Sequence, residues 1–251
     1  MTTPVLYQFH FSHFNERGRW ACDYKGLTVE PRVLIPGLHI PVTRKLTKGA
    51  STSTPILVVN DDEVIAGSDS ILHWLEKQFP EKPLTYEDPA LATEVEEVTA
   101  LFEGLVGAPF RRAYFDYVLK TYPGLLTRMF TLDRGPATKL GMRIAEPAMN
   151  LLLRAADNIT PETVAEGYAN MDTALDEVMV RNADTGYLVG DRFTKADLTA
   201  ASLLCGTCWP RSLSFTIPDE ARTVFEDWSS RWADHPGTAW VRSICDRYRT
   251  A

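Results

Sequence analysis

The sequence predicts an α/β unit of order βαβαββα followed by an all-helical region. Three observations predict this. Short apolar runs rich in β-branched residues alternate with helical patterns over residues 4–80. A polar stretch with two prolines, EKPLTYEDP at residues 81–89, then interrupts the pattern. Beyond it the apolar spacing is helical, punctuated by proline and glycine. We therefore place one domain at residues 1–82 and a second at 89–251.

Residues 4–9 form a short apolar run with Val, Tyr and Phe, the pattern of a buried strand. Residues 16–25 have helical character and stop at Gly26, a natural C-cap. Residues 28–35 are a second strand, broken by Pro36-Gly37, and residues 41–48 a short helix. Residues 56–59 and 64–66 are strands around Asn60-Asp61-Asp62, a hairpin signal. Residues 68–79 place Ile71, Leu72, Leu75 and Phe79 at helical spacing, with Ser68 as the expected N-cap and Pro80 as the stop. One long amphipathic helix is expected over residues 91–120. Breaks at Pro123-Gly124, Gly135-Pro136, Pro147, Pro161, Pro210, Pro218 and Pro236 divide the rest into five or six more.

The chain has 251 residues, 45% hydrophobic and 24% charged, so it can bury a core without staples. Its net charge of −7 disfavours nucleic acid as a partner. No apolar run is long enough to span a membrane, and no membrane partner is expected. The start, MTTPVLYQFHF, lacks a secretory n-region. Four cysteines do not make a disulfide scaffold, so a reducing, cytoplasmic location is expected. The pair Cys205 and Cys208 is half a zinc site at most. It lies near the end of the helical run from Thr194, not at a helix N-terminus, so a packing role is expected for it, and for Cys22 and Cys245. No metal is expected. Signatures for nucleotide phosphates, zinc proteolysis and the hydrolase elbow are missing.

Three segments carry possible chemistry. Ser12 follows the first strand at the mouth of the first helix, where free N–H groups and the dipole stabilise an anion such as a thiolate. Ser12 or Asn15 as a plain cap is the competing reading. Thr54-Pro55 directly precedes a strand, where proline is tolerated. Ser68 follows Gly67, which permits close backbone approach, at a second helix mouth able to hold a carboxylate.

Together these segments resemble the glutathione transferase superfamily. LYQFHFSHFNERGRWACDYKGL is similar to its first strand and helix, and STPILVVNDDEVIAGSDSILHWLEKQFP to its cis-proline, hairpin and third-helix block. GYLVGDRFTKADLTAASLL is similar to its helical-domain core motif, where Thr194 and Asp197 form a capping pair. The resemblance implies a thioredoxin-like N-terminal domain, an all-helical C-terminal domain, glutathione as co-substrate and a homodimer. It places Ser12 at the thiol-activating serine of theta- and zeta-like members, where omega-like members carry cysteine. Serine there argues against thiol–disulfide exchange. Tyr7 and His13 are the alternatives to Ser12. Thr54 and Pro55 match the segment that pairs with the cysteinyl part of glutathione, and Ser68 the residue holding the γ-glutamyl carboxylate. Two positions depart from the pattern. Gly67 stands where Glu or Gln is usual, with Asp69 a candidate substitute, and Ser53 stands where Lys is usual. His39, Arg44, Lys45 or Lys48 would then meet the glycyl carboxylate.

The implied reaction is attack of a stabilised thiolate on a small hydrophobic electrophile. A free thiol has a pKa near 8.5, and lowering it by about two units requires about 2.7 kcal/mol of differential stabilisation. The electrophile site is expected between the domains, walled by Phe110, Arg111, Tyr114 and Tyr117, with His13 and Phe14 from the first turn and Trp209 as a weaker candidate. Isomerase, peroxidase or dehalogenase chemistry on the same fold is the alternative, as is a binding module without catalysis.

Overall fold

The computed structural model describes residues 3–214 and 219–249. The N-terminal unit runs β1 (Val5–Gln8), α1 (His13–Lys25), β2 (Glu30–Val33), α2 (Ile40–Leu46), β3 (Ile56–Val58), β4 (Val64–Ala66) and α3 (Ser68–Gln78). The sheet order is β2-β1-β3-β4, with β1 parallel to β2 and antiparallel to β3. A parallel pair needs a long crossover, which α1 supplies. The β3–β4 hairpin turns where Asn60 Oδ1 accepts the N–H groups of Asp62 and Glu63 at 3.0 and 3.1 Å. This is the expected thioredoxin-like arrangement. Leu6 and Leu57 from the sheet, Trp20 and Ala21 from α1, and Ile71, Leu72 and Leu75 from α3 are buried in its core. Gly18 lets α1 lie close on the cis Thr54–Pro55 peptide, since a Cβ there would stand 3.1 Å from Pro55 Cγ.

The rest is helical: α4 (Pro89–Phe102), a π-helical turn (Glu103–Gly107), α5 (Ala108–Thr121), α6 (Leu125–Phe130), α7 (Pro136–Ala156), α8 (Pro161–Arg181), α9 (Lys195–Leu204), a 3-10 turn (Cys205–Thr207), α10 (Asp219–Ser230) and α11 (Pro236–Tyr248). Every residue of α9 is buried, and α9 packs against α1, α4 and α11. The expected capping pair starts it: Asp197 accepts from the Thr194 N–H and hydroxyl at 2.8 and 2.9 Å, and from the Leu188 N–H at 2.9 Å.

Three local expectations need correction. The single helix expected over 91–120 is split by the π turn, which packs Gly107 against Phe14: a Cβ at 107 would stand 2.7 Å from Phe14 Cζ. Pro147 lies inside α7 and does not end it. Proline removes one donor there, and both Pro147 and Arg143, whose carbonyl loses its partner, are exposed to water. Ser68 is the first residue of α3 and not its cap. Gly67 caps it at φ +96°, in the region that favours glycine, which accounts for glycine at that position.

Charge is buried where the two parts of the chain meet. Glu16 is wholly buried in the first turn of α1. It accepts from Arg19 Nε at 2.9 Å, Arg249 Nε at 2.7 Å and Ser214 Oγ at 2.6 Å. Arg249 also reaches Asp23 at 2.8 Å. Burial pushes the Glu16 carboxyl up, but Arg19 and Arg249 outweigh it and hold the group below its ordinary value of 4.5. A depressed carboxyl contributes stability above its unfolded pKa and loses it as pH falls through the folded one. Urea melts are therefore expected to show stability falling below pH 4.5, with a smaller acid-side fall in Glu16→Gln. At pH 7 that variant is expected to lose about 3–5 kcal/mol, because it strands two buried guanidiniums.

Candidate functional site

The N-terminus of α1, the segments at 36–40 and 52–54, and helices α5, α6, α7 and α10 enclose a cavity of about 730 Å³. The N-terminal unit lines it with polar groups, Ser12, Asn15, His39, Ser53 and Thr54, beside the apolar Phe9, Phe11, Phe14 and Ile40. The cavity's apolar walls come mostly from the helices: Phe110, Tyr114, Phe130, Met142, Met149 and Trp209.

Ser12 has extended backbone and caps α1, its Oγ accepting the Asn15 N–H at 3.4 Å. Its carbonyl takes the Glu16 N–H at 2.8 Å. The N–H groups of His13 and Phe14 are left without an intrahelical partner. A hydroxyl carries one donor as well as its lone pairs, so capping leaves the Ser12 O–H free to donate. Both readings of Ser12 are thus compatible at once.

Asn15, which the sequence showed only as a possible cap, is buried and donates from Nδ2 to Thr54 Oγ1 at 3.2 Å. It ties the first turn of α1 to the cis-proline segment. Its Oδ1 is buried without a partner among the described residues. Nothing in the spacing flagged this role, because Thr54 is 39 residues away.

Other expected residues fall differently. His13 is buried and donates from Nε2 to the Gly107 carbonyl at 3.1 Å. Burial, with the charges of Arg111 and Arg17, pushes its pKa down to about 3, so the ring is neutral. Phe14 lies beside it under Gly107. Phe110 and Tyr114 stack with centroids 5.6 Å apart and face the cavity. Burial raises the Tyr114 phenol, which stays protonated. Tyr117 is not at the cavity: it packs on Trp228 and Tyr122 instead. Tyr7 is half-buried in the sheet beside Arg32 and does not reach the site. Arg111 does reach the cavity, but its NH2 donates to Asp157 Oδ1 at 2.5 Å, so its charge is already answered.

The cation sought for a glycyl carboxylate is not among the cavity's walls. Lys45, Arg44 and Lys48 are exposed and do not line it. His39 does line it, but its Nδ1 accepts the Gly37 N–H at 3.1 Å and burial lowers its pKa. At Ser68 the chain uses its own side chain. Arg17, buried on α1, donates to Ser68 Oγ from Nε at 2.9 Å and NH2 at 2.8 Å, and pairs with Glu103 in the π turn. Burial raises the Asp69 carboxyl, but Lys195, 2.9 Å away, more than offsets this and holds it low. Residues 121–159, for which the sequence offered no clear motif, furnish much of the cavity wall through Met129, Phe130, Met142, Met149 and Leu153.

Comparison with known proteins follows this geometry. Residues 6–83 match the family described as Glutathione S-transferase, N-terminal domain. No curated protein matches the chain in sequence. Among solved structures, a glutathione S-transferase from Rhodospirillum rubrum F11 has a TM-score of 0.63 at 21% identity, covering 98% of this chain and 89% of that one. The beta-etherase LigF from Sphingobium sp. strain SYK-6 has a TM-score of 0.60 at 18% identity, covering 98% and 100%. A glutathione S-transferase of Ceriporiopsis subvermispora, in complex with glutathione, has 0.61 at 14%, covering 100% and 99%. Residues 6–83 thus match that family's N-terminal domain, and the chain as a whole shares the fold of these solved structures.

The cysteines pack as expected. All four are free, and burial pushes Cys22 up to about 12, Cys208 up to about 11, and Cys205 and Cys245 well above the ordinary thiol range. Cys205 borders the cavity, but burial and the charge of Glu16 outweigh the lowering effect of Arg19. In iodoacetamide at about pH 8, intact-mass spectrometry is expected to show slow, substoichiometric labelling of the native protein and full labelling only on unfolding.

Proposed function

We propose that the protein is a serine-type glutathione transferase. In this reading residues 1–82 hold the thiol and 89–251 hold a hydrophobic electrophile. The observation that carries it is Ser12: a helix-capping hydroxyl whose O–H meets no acceptor among the described residues, lining a mostly apolar cavity. A thiol sulfur placed there meets the Ser12 O–H and the positive end of α1. A charge-assisted hydrogen bond and a helix dipole both favour the thiolate over the thiol. Ser12 donates throughout and is never the nucleophile. The sulfur attacks an electrophilic carbon held against the aromatic wall, and the leaving group departs with its electron pair.

Thr54, positioned by Asn15, offers the backbone that would pair with the cysteinyl part of the thiol. His13 is a neutral brace that locks α1 to the π turn through Gly107, so no proton transfer is assigned to it. The neutral Tyr114 and the answered charge of Arg111 favour an uncharged, aromatic or lipophilic electrophile over an anionic one.

One observation favours a second reading. Ser68 and Asp69, where a γ-glutamyl group would be held, are already engaged by Arg17 and Lys195. A thiol lacking that group, or a binding role without catalysis, fits this arrangement.

Conjugation of glutathione to a neutral aromatic electrophile tests the proposal. Ser12→Ala is expected to lower kcat/KM by about 10–100-fold near pH 6.5. The deficit is expected to shrink toward unity near pH 9, where about half or more of a free thiol ionises unaided. A deficit independent of pH would assign Ser12 a structural role only.

A further inference from the structure

The helix over the cavity, α7, is apolar on two sides. Met142, Met149 and Leu153 face the cavity, and Met142 is its one buried residue. The opposite side is bare: Leu140, Ile144 and Leu151 are 61%, 73% and 70% exposed. At 3.6 residues per turn these three and Pro147 fall within an arc of roughly 60°. Leu152, 68% exposed, and Leu38, 61% exposed, continue the patch to the cavity rim, where a Cβ at Gly37 would stand 3.8 Å from Met149 Cε.

Charge identifies the occupant. The chain carries −7, yet α7 is basic: it holds Lys139, Arg143 and Arg154 against Glu146, and of these Arg154 is paired with Asp116. Lys139 and Arg143 border the bare stripe and pair with no carboxylate among the described residues. Glu146 turns inward, its oxygens 3.6 Å from the place of a Gly124 Cβ, beside Arg128. An apolar stripe bordered by cations, lying along a surface helix, suits the headgroup region of an anionic bilayer. A second copy suits it less well. Antiparallel pairing of two such stripes sets the Lys139–Arg143 end of one against residues 147–156 of the other, which hold Arg154 and no acid.

We propose that the outer face of α7 is a peripheral membrane-binding surface for anionic lipid. The absence of a spanning helix leaves this untouched, because an interfacial helix lies in the membrane plane. The cavity rim then opens beside the lipid, a direct route for lipophilic molecules. The binding itself does not depend on the transferase reading.

Flotation with vesicles of phosphatidylcholine containing about 30% phosphatidylglycerol tests this, beside pure phosphatidylcholine. The wild-type protein is expected to float with the anionic vesicles, and about tenfold less with neutral ones or in roughly 0.5 M salt. The double variants Ile144→Glu/Leu151→Glu and Lys139→Glu/Arg143→Glu alter exposed positions and are each expected to reduce flotation about tenfold with circular dichroism and Tm unchanged. Wild-type protein that stays in solution, or variants that float as wild type, would overturn the proposal. So would a wild-type dimer by light scattering that Ile144→Glu/Leu151→Glu renders monomeric, with no vesicle binding.

Discussion

The candidate site depends on a buried carboxylate. Glu16 sits in the first turn of α1, four residues beyond Ser12, and binds Arg19 beside it and Arg249 from the far end of the chain. Isolated, that charge could not be buried. Met by two guanidiniums and a serine hydroxyl, it fixes the start of α1 in both rotation and depth. Ser12 takes its position from this clamp. The same helix carries Arg17 outward to Ser68 and Glu103, and Arg19 back to Gln8 and the Phe9 carbonyl. One helical turn of alternating charges thus joins the sheet, α3 and the helical region. The polar groups and the apolar wall of the cavity are held in register by ion pairs, with α9 packed dry against the same helix.

That division of labour explains the chemistry assigned to the cavity. Thiolate stabilisation needs donors and a helix end. These come from the N-terminal unit, where backbone geometry presents them. The electrophile binding proposed for the cavity needs a shaped apolar wall; the helices present rings there, and methionines that adapt to varied shapes. The π turn couples the two. It bends the α4–α5 stretch so that Gly107 accommodates Phe14, and its carbonyl holds the His13 ring. An ordinary α-helix through Glu103–Gly107 would shift both contacts and close the cavity differently.

Much of this was legible in the sequence, for identifiable reasons. Strand and helix order followed from apolar period, and α1 and its Gly26 stop from local capping chemistry. The Thr194–Asp197 capping pair was legible because both partners lie within one turn. What was not legible is long-range. Nothing local marked the roles of Arg17, Arg19 and Glu16, because their partners Ser68, Gln8 and Arg249 lie 51, 11 and 233 residues away. Ser68 read as a cap because a serine before an apolar run usually is one; the φ of Gly67 decided otherwise. Tyr117 lies one turn beyond Tyr114 and both rings touch Trp228, but that turn carries Tyr117 past the cavity to Tyr122. The residues of α7 carried no motif at all. Their place over the cavity follows only from the packed fold.

The account stands or falls on whether a thiol is ionised at the mouth of α1. The direct measurement is a pH titration of thiolate absorbance for glutathione on the protein, beside Ser12→Ala. The account predicts a bound thiol pKa about two units below the free value near 8.5, restored most of the way by the substitution. A bound thiol that titrates like free glutathione in the wild-type protein, or a lowered pKa that Ser12→Ala leaves in place, would contradict it.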